Sequence, residues 1–153
     1  MADSFKIYLK SILTTIFLGG LVGFIISNYI DYNSLEKPFI APPSNVFPIV
    51  WTILYALMGI SYGILKNNSL TNSKIDLIYY SQLIVNLLWP IAFFVLEWRL
   101  FAFFWIILLI VLVINMIIKF YNLNKLSGLL QIPYLIWLIF AAYLNLNVYL
   151  LNK

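Results

Sequence analysis

The run LFAFFWIILLIVLVINMII, Leu100–Ile118, is nineteen residues without a charged side chain, bounded by Arg99 and Lys119. As an α-helix it rises roughly 28 Å, close to the thickness of a bilayer's hydrocarbon core. Working outward, the stretches 38–65, 77–96 and 126–152 are also free of Asp, Glu, Lys and Arg. The chain is 64% hydrophobic and 9% charged, with mean hydropathy +1.00, which is the composition of a membrane protein. The apolar runs predict five transmembrane helices near 7–29, 47–65, 77–96, 100–121 and 129–151. They are continuous, without the short apolar/polar alternations of a spanning β-barrel. The predicted fold class is therefore an all-α integral membrane protein, a five-helix transmembrane bundle forming one domain over 1–153, with a structured proline-rich loop at 31–46.

Basic residues in short loops favour the cytoplasmic side. The N-terminus and the second and fourth loops carry Lys6, Lys10, Lys66, Lys74, Lys119 and Lys125, against Lys37, Arg99 and Lys153 on the opposite face. That asymmetry predicts a cytoplasmic N-terminus, a C-terminus across the membrane and a location in the cell membrane. The apolar run in the first segment is long and no small-residue cleavage pattern follows it, so it is expected as a retained helix. The net charge of +4 is a topology signal, and no nucleic-acid partner is expected.

Several chemistries lack their residues. There is no Cys and no His, which removes disulfides, thiolate nucleophiles, axial imidazoles and Ser–His pairs. The five acids, Asp3, Asp31, Glu36, Asp76 and Glu97, lie at helix ends or in loops. None stands at mid-membrane depth, where a proton-coupled transporter needs one. No metal site, cofactor or conventional catalytic residue is expected.

Aromatic and amide chemistry remains. Gln82, Asn86, Trp89 and Phe93 recur at helical spacing on the third segment, as do Tyr134, Trp137, Ala141 and Asn145 on the fifth and Trp51, Tyr55, Met58 and Tyr62 on the second. Pro90 deprives the Asn86 carbonyl of its usual partner and predicts a kink. Trp98 reads as part of the interfacial belt, and Trp105 as lipid-facing or packing. Trp89 and Trp137 are too deep for a belt. Asn86 beside deep indoles fits either an interhelical hydrogen bond or the polar anchor of a cavity. Gly19/Gly23 and Gly59/Gly63 have the small-x-x-x-small spacing of close helix contacts. The segment KPFIAPPSNVFPIVW, Lys37–Trp51, places four prolines in eleven residues, which a regular helix cannot accept, so it is a shaped loop.

These features resemble the translocator protein and tryptophan-rich sensory protein family (TspO/MBR), in a bacterial-type form. The residues that carry the resemblance are LEKPFIAPPSNVFPIVWTILYALMG at 35–59, QLIVNLLWPIAFF at 82–94 and PYLIWLIFAAYLN at 133–145. The resemblance implies a five-helix bundle, commonly a homodimer, whose cavity under the first loop binds porphyrins, sterol-like lipids or synthetic aromatic ligands. Carried over by motif, Trp51, Asn86 and Trp137 line that cavity, with Phe47, Tyr55, Trp89, Phe93 and Ala141 around them and Tyr32 and Pro42 in the lid. Two features depart from the family pattern. Pro90 stands where a small or polar residue is expected. The end LNLNVYLLNK has Leu146 and Leu150 where sterol-binding relatives carry Tyr and Arg.

A porphyrin is the expected ligand, because flat π-systems stack on indoles. Three functions follow from the resemblance: a ligand-binding sensor, a porphyrin or lipid transporter, and a light- and oxygen-dependent porphyrin-degrading activity carried by Trp51 and Trp137. The sensor fits best, since the site offers binding groups and no coupling ion.

Overall fold

A computed structural model describes residues 2–153, and every regular element among them is helical. Helix α1 runs Ala2–Ile26 and ends in a 3-10 turn, Ser27–Tyr29; α2 is Val46–Asn67; α3 is Ser73–Pro90, continued by a π-helical turn, Ile91–Val95. Helix α4 is Arg99–Leu123, α5 is the short Lys125–Leu129 and α6 is Ile132–Leu151. Five stretches are long and apolar enough to cross a membrane: Asp3–Tyr29, Val46–Asn67, Ser73–Val95, Arg99–Leu123 and Lys125–Leu151.

The five expected spans are present, and their ends move for local polar reasons. Asn72 Oδ1 accepts the N–H groups of Lys74 and Ile75 at 3.0 and 3.1 Å, so α3 starts before its apolar run does. Asn124 caps α5 through the Ser127 N–H at 3.0 Å. The fifth span is interrupted after α5, at Leu130 and Gln131, and resumes as α6 with Pro133 in its first turn, where a missing N–H breaks no helical bond. The kink expected at Pro90 takes the form of the π-turn. Beyond it the Leu96 N–H reaches back to the Ile91 carbonyl at 3.0 Å. Glu97, at φ 53°, then lets the Trp98 N–H close on the Ala92 carbonyl at 2.9 Å.

Along α4 the buried positions are Ala102, Ile106, Leu109, Val113, Met116 and Phe120, alternating steps of four and three, which is the repeat of a packed helix seam. Phe104, Val111 and Ile118 on the same helix are as apolar yet exposed, as lipid-facing positions should be. Helix α1 closes on α2 at Gly59, where a Cβ would collide with the backbone of Ile12, and at Gly63, where it would stand 2.9 Å from the Tyr8 ring. Thr15 Oγ1 donates to the Tyr55 carbonyl at 2.7 Å across the same seam. The second glycine pair thus marks a close helix contact. The first pair divides: Gly19 lies against the Tyr55 ring, whereas a Cβ on Gly23 would meet nothing within 4 Å. Gly23 is no helix contact, since no neighbouring helix stands where its Cβ would be.

Candidate functional site

A cavity of about 680 Å³ lies among α1, α2, α3, α6 and the loop of residues 30–45, in the size range of small-molecule sites. Its lid is tied from within. Tyr32 Oη donates to the Pro42 carbonyl at 2.9 Å, and burial pushes the Tyr32 phenol above its ordinary pKa. Lys37 Nζ turns inward to the carbonyls of Tyr32 and Leu35, each at 2.7 Å, and of Asn33 at 3.4 Å, while standing 4.7 Å from the Tyr32 ring centre. Asn152 beyond α6 exchanges two hydrogen bonds with the Glu36 backbone, at 3.0 and 2.8 Å. The loop is therefore shaped by Lys37 and Asn152 as well as by its prolines.

The walls are aromatic. Trp51 stacks on Tyr55 with ring centres 5.6 Å apart, and Trp89 stacks on Phe93 at 5.2 Å. Two amides hold these groups. Tyr55 Oη donates to Asn86 Oδ1 at 2.7 Å, Asn86 Nδ2 donates to Tyr134 Oη at 2.9 Å, and Tyr134 Oη donates to Gln82 Oε1 at 3.0 Å. Trp89 Nε1 donates to Asn145 Oδ1 at 3.1 Å, and Asn145 Nδ2 donates to the Arg99 carbonyl at 2.7 Å. Each network joins helices distant in sequence and fixes ring orientations at the cavity wall.

Of the residues named from sequence, Tyr32, Phe47, Trp51, Tyr55, Asn86, Trp89, Phe93 and Ala141 line the cavity. Pro42 and Trp137 do not. Pro42 contributes its carbonyl to Tyr32. Trp137 packs edge-on against Phe47, with ring centres 5.9 Å apart, and its Nε1 is buried without a partner among the described residues. The part of α6 that reaches the cavity is its later half, at Ala141, Leu144, Asn145 and Val148. In sequence Asn145 reads only as one member of a helical face, and its bond to Trp89 gives it a specific place. The α1 wall, including Ile16, Gly20 and Gly23, was not legible as a wall because it carries no polar or aromatic signal. Pro90 also lines the cavity, so the departure from the family pattern lies at the site itself. Trp98 is exposed beside Phe101, and Trp105 is half-buried with Nε1 donating to the Val85 carbonyl at 2.8 Å.

The sequence profile described as the TspO/MBR family matches residues 11–150. A tryptophan-rich protein TspO of Archaeoglobus fulgidus is 39% identical over 145 residues, covering 93% of this chain and 94% of the relative. A tryptophan-rich sensory protein of Cereibacter sphaeroides is 35% identical over 122 residues, covering 79% and 76%. The translocator protein of Homo sapiens is 32% identical over 122 residues, covering 77% and 72%. With the profile spanning nearly the whole bundle and relatives matching along most of their own length, the chain belongs to the TspO/MBR family.

Proposed function

We propose that this protein is a membrane-embedded binding protein, acting as a sensor, for a flat hydrophobic ligand of the porphyrin class held in the cavity beneath the first loop. The observation that carries the reading is the cavity's lining: stacked Trp51–Tyr55 and Trp89–Phe93 pairs, small Ala141, and no Asp, Glu, Lys or Arg among the described residues around it. Aromatic faces favour a planar π-system, and the lack of a carboxylate or a basic side chain in the lining favours binding over ion-coupled transport. The names of the relatives, sensory protein and translocator protein, are compatible with binding as the shared step.

The test is titration of the purified protein in detergent with protoporphyrin IX, following quenching of tryptophan fluorescence. Saturable binding is expected, weakened in Trp51→Ala by about 1–3 kcal/mol, as for an aromatic anchor in a desolvated pocket. Equal affinity in wild type, Trp51→Ala and Trp89→Ala would place the porphyrin elsewhere and sink the reading. Trp51 at the wall also keeps photo-oxidation open as a second reading. Light-dependent loss of porphyrin absorbance in wild type, absent in Trp51→Phe, would favour it.

A further inference from the structure

We infer that the bundle holds a buried water site between α3 and α6, formed by Tyr79, Gln82 and Gln131 on the side of the cavity wall nearer the starts of these helices. The three side chains are 2%, 0% and 0% exposed. Six buried side-chain polar atoms have no partner among the described residues, and four of them belong to this trio: Tyr79 Oη, Gln82 Nε2, and Gln131 Nε2 and Oε1. Other buried polar groups toward this end of the bundle are paired. Ser61 Oγ donates to the Ser127 carbonyl and Ser127 Oγ to the Ser61 carbonyl, each at 2.7 Å, and Tyr62 Oη donates to Asp76 Oδ1 at 2.7 Å. Lipid offers no hydrogen bond to a spanning bundle, so polar atoms buried inside one must be met from within it.

Helical register brings the three together. Gln82 is bonded to Tyr134 and, further along, Trp89 to Asn145, so the contacts advance along α3 and α6 in the same sense and the two helices run parallel. Tyr79 precedes Gln82 by three residues and Gln131 precedes Tyr134 by three, which sets both one turn toward the helix starts from the Gln82–Tyr134 bond. The Tyr79 ring is stacked between Tyr62 of α2 and Phe120 of α4, with ring centres 4.0 and 6.3 Å away, which holds its hydroxyl in the bundle interior. None of the four atoms bonds another directly, so a bridging molecule is needed to join them. The atoms also select it. Gln82 Nε2 can only donate and Gln131 Oε1 can only accept, and residues 77–96 and 126–152 include no Asp, Glu, Lys or Arg. A cation would face an amide N–H and an anion an amide oxygen, whereas water serves donors and acceptors alike. Through Tyr134 the site is continuous with Asn86 and Tyr55 at the cavity wall, yet it does not depend on what the cavity binds.

The test uses the full chain in phosphatidylcholine nanodiscs and reads the sign of a stability change. Tyr79→Phe deletes one hydroxyl and Gln131→Leu one amide, with little change of shape. If those atoms are dry and unpaired, removing them should raise the melting temperature; if they hold water, each variant should melt lower, by about 2–4 °C. Where one water site serves both residues, the double variant should melt close to the lower of the two singles, because the second change finds the bridge already lost. X-ray radiolytic labelling in water enriched in oxygen-18 supplies a readout that a merely structural role would not move. Tyr79 should take up the label despite its burial, and Tyr79 in Gln131→Leu should take up less. A higher or unchanged melting temperature in either single variant, additive losses in the double variant, or a Tyr79 that stays unlabelled in wild type would each overturn the site, the last by showing that Tyr79 and Gln131 meet without water.

Discussion

Asn86 shows how far a residue type can be read and where the reading stops. Its depth and its indole neighbours on the helix make it conspicuous in sequence, and an amide there can either orient a ligand or hold helices together. The fold uses it for the second purpose: it is nearly fully buried, and Oδ1 and Nδ2 are bonded to Tyr55 and Tyr134. Asn86→Leu should therefore act first on stability, costing about 1–3 kcal/mol because buried hydroxyls lose their partners. Thermal unfolding in detergent measures this, and unchanged stability with weakened porphyrin binding would return Asn86 to the role of ligand anchor. Trp89 and Trp137 separate in the same way. Trp89→Ala should weaken binding by about 1–3 kcal/mol, and Trp137→Ala by less, since Trp137 stands against Phe47 outside the cavity. Equilibrium titration of the two variants decides, and the reverse order would contradict the geometry. None of the three pairings, Tyr55–Asn86, Asn86–Tyr134 and Trp89–Asn145, is legible in sequence, because the partners lie 31, 48 and 56 residues apart and nothing local selects them.

At the scale of elements, the punctuation residues were informative and their consequences were not uniform. Pro90 removes one donor, which any reading of the sequence gives; that α3 answers with a π-turn depends on Glu97 adopting a left-handed conformation to close the turn. The four glycines of the two small-x-x-x-small pairs look alike in sequence, yet only Gly19, Gly59 and Gly63 are enclosed. Gly59→Leu should destabilise the α1–α2 pair by several kcal/mol, at or above the range for overpacking, because the obstacle is backbone. Gly20→Leu should leave the melting temperature near wild type. Comparable melting shifts in the two variants would contradict this division. Lys37 was counted for its charge, and its three carbonyl contacts make it the internal cap of the loop. Lys37→Met should raise amide exchange across residues 31–45 while leaving α2 protected, and an unchanged loop would assign its shape to the prolines alone.

For the whole molecule, the unequal distribution of Lys and Arg predicts that the loop, the cavity beneath it and the C-terminus lie toward the non-cytoplasmic side. The native chain has no cysteine, so Ser44→Cys gives a single reporter in the lid. Labelling by an impermeant maleimide is expected only from the non-cytoplasmic side, and labelling from the cytoplasmic side alone would invert the topology. The sequence by itself determined the solvent, the helical class, the number of spans and the family, because a bilayer demands long uncharged runs with internally paired backbones and the motifs lie in order along them. The tertiary structure alone decided which face of each helix looks inward. In water a buried face differs from an exposed one in polarity, whereas in lipid both are apolar, so Val113 and Val111 are indistinguishable until α4 packs. The same physics hid the α1 wall, since a helix face against a cavity and one against lipid are written in the same aliphatic and glycine residues.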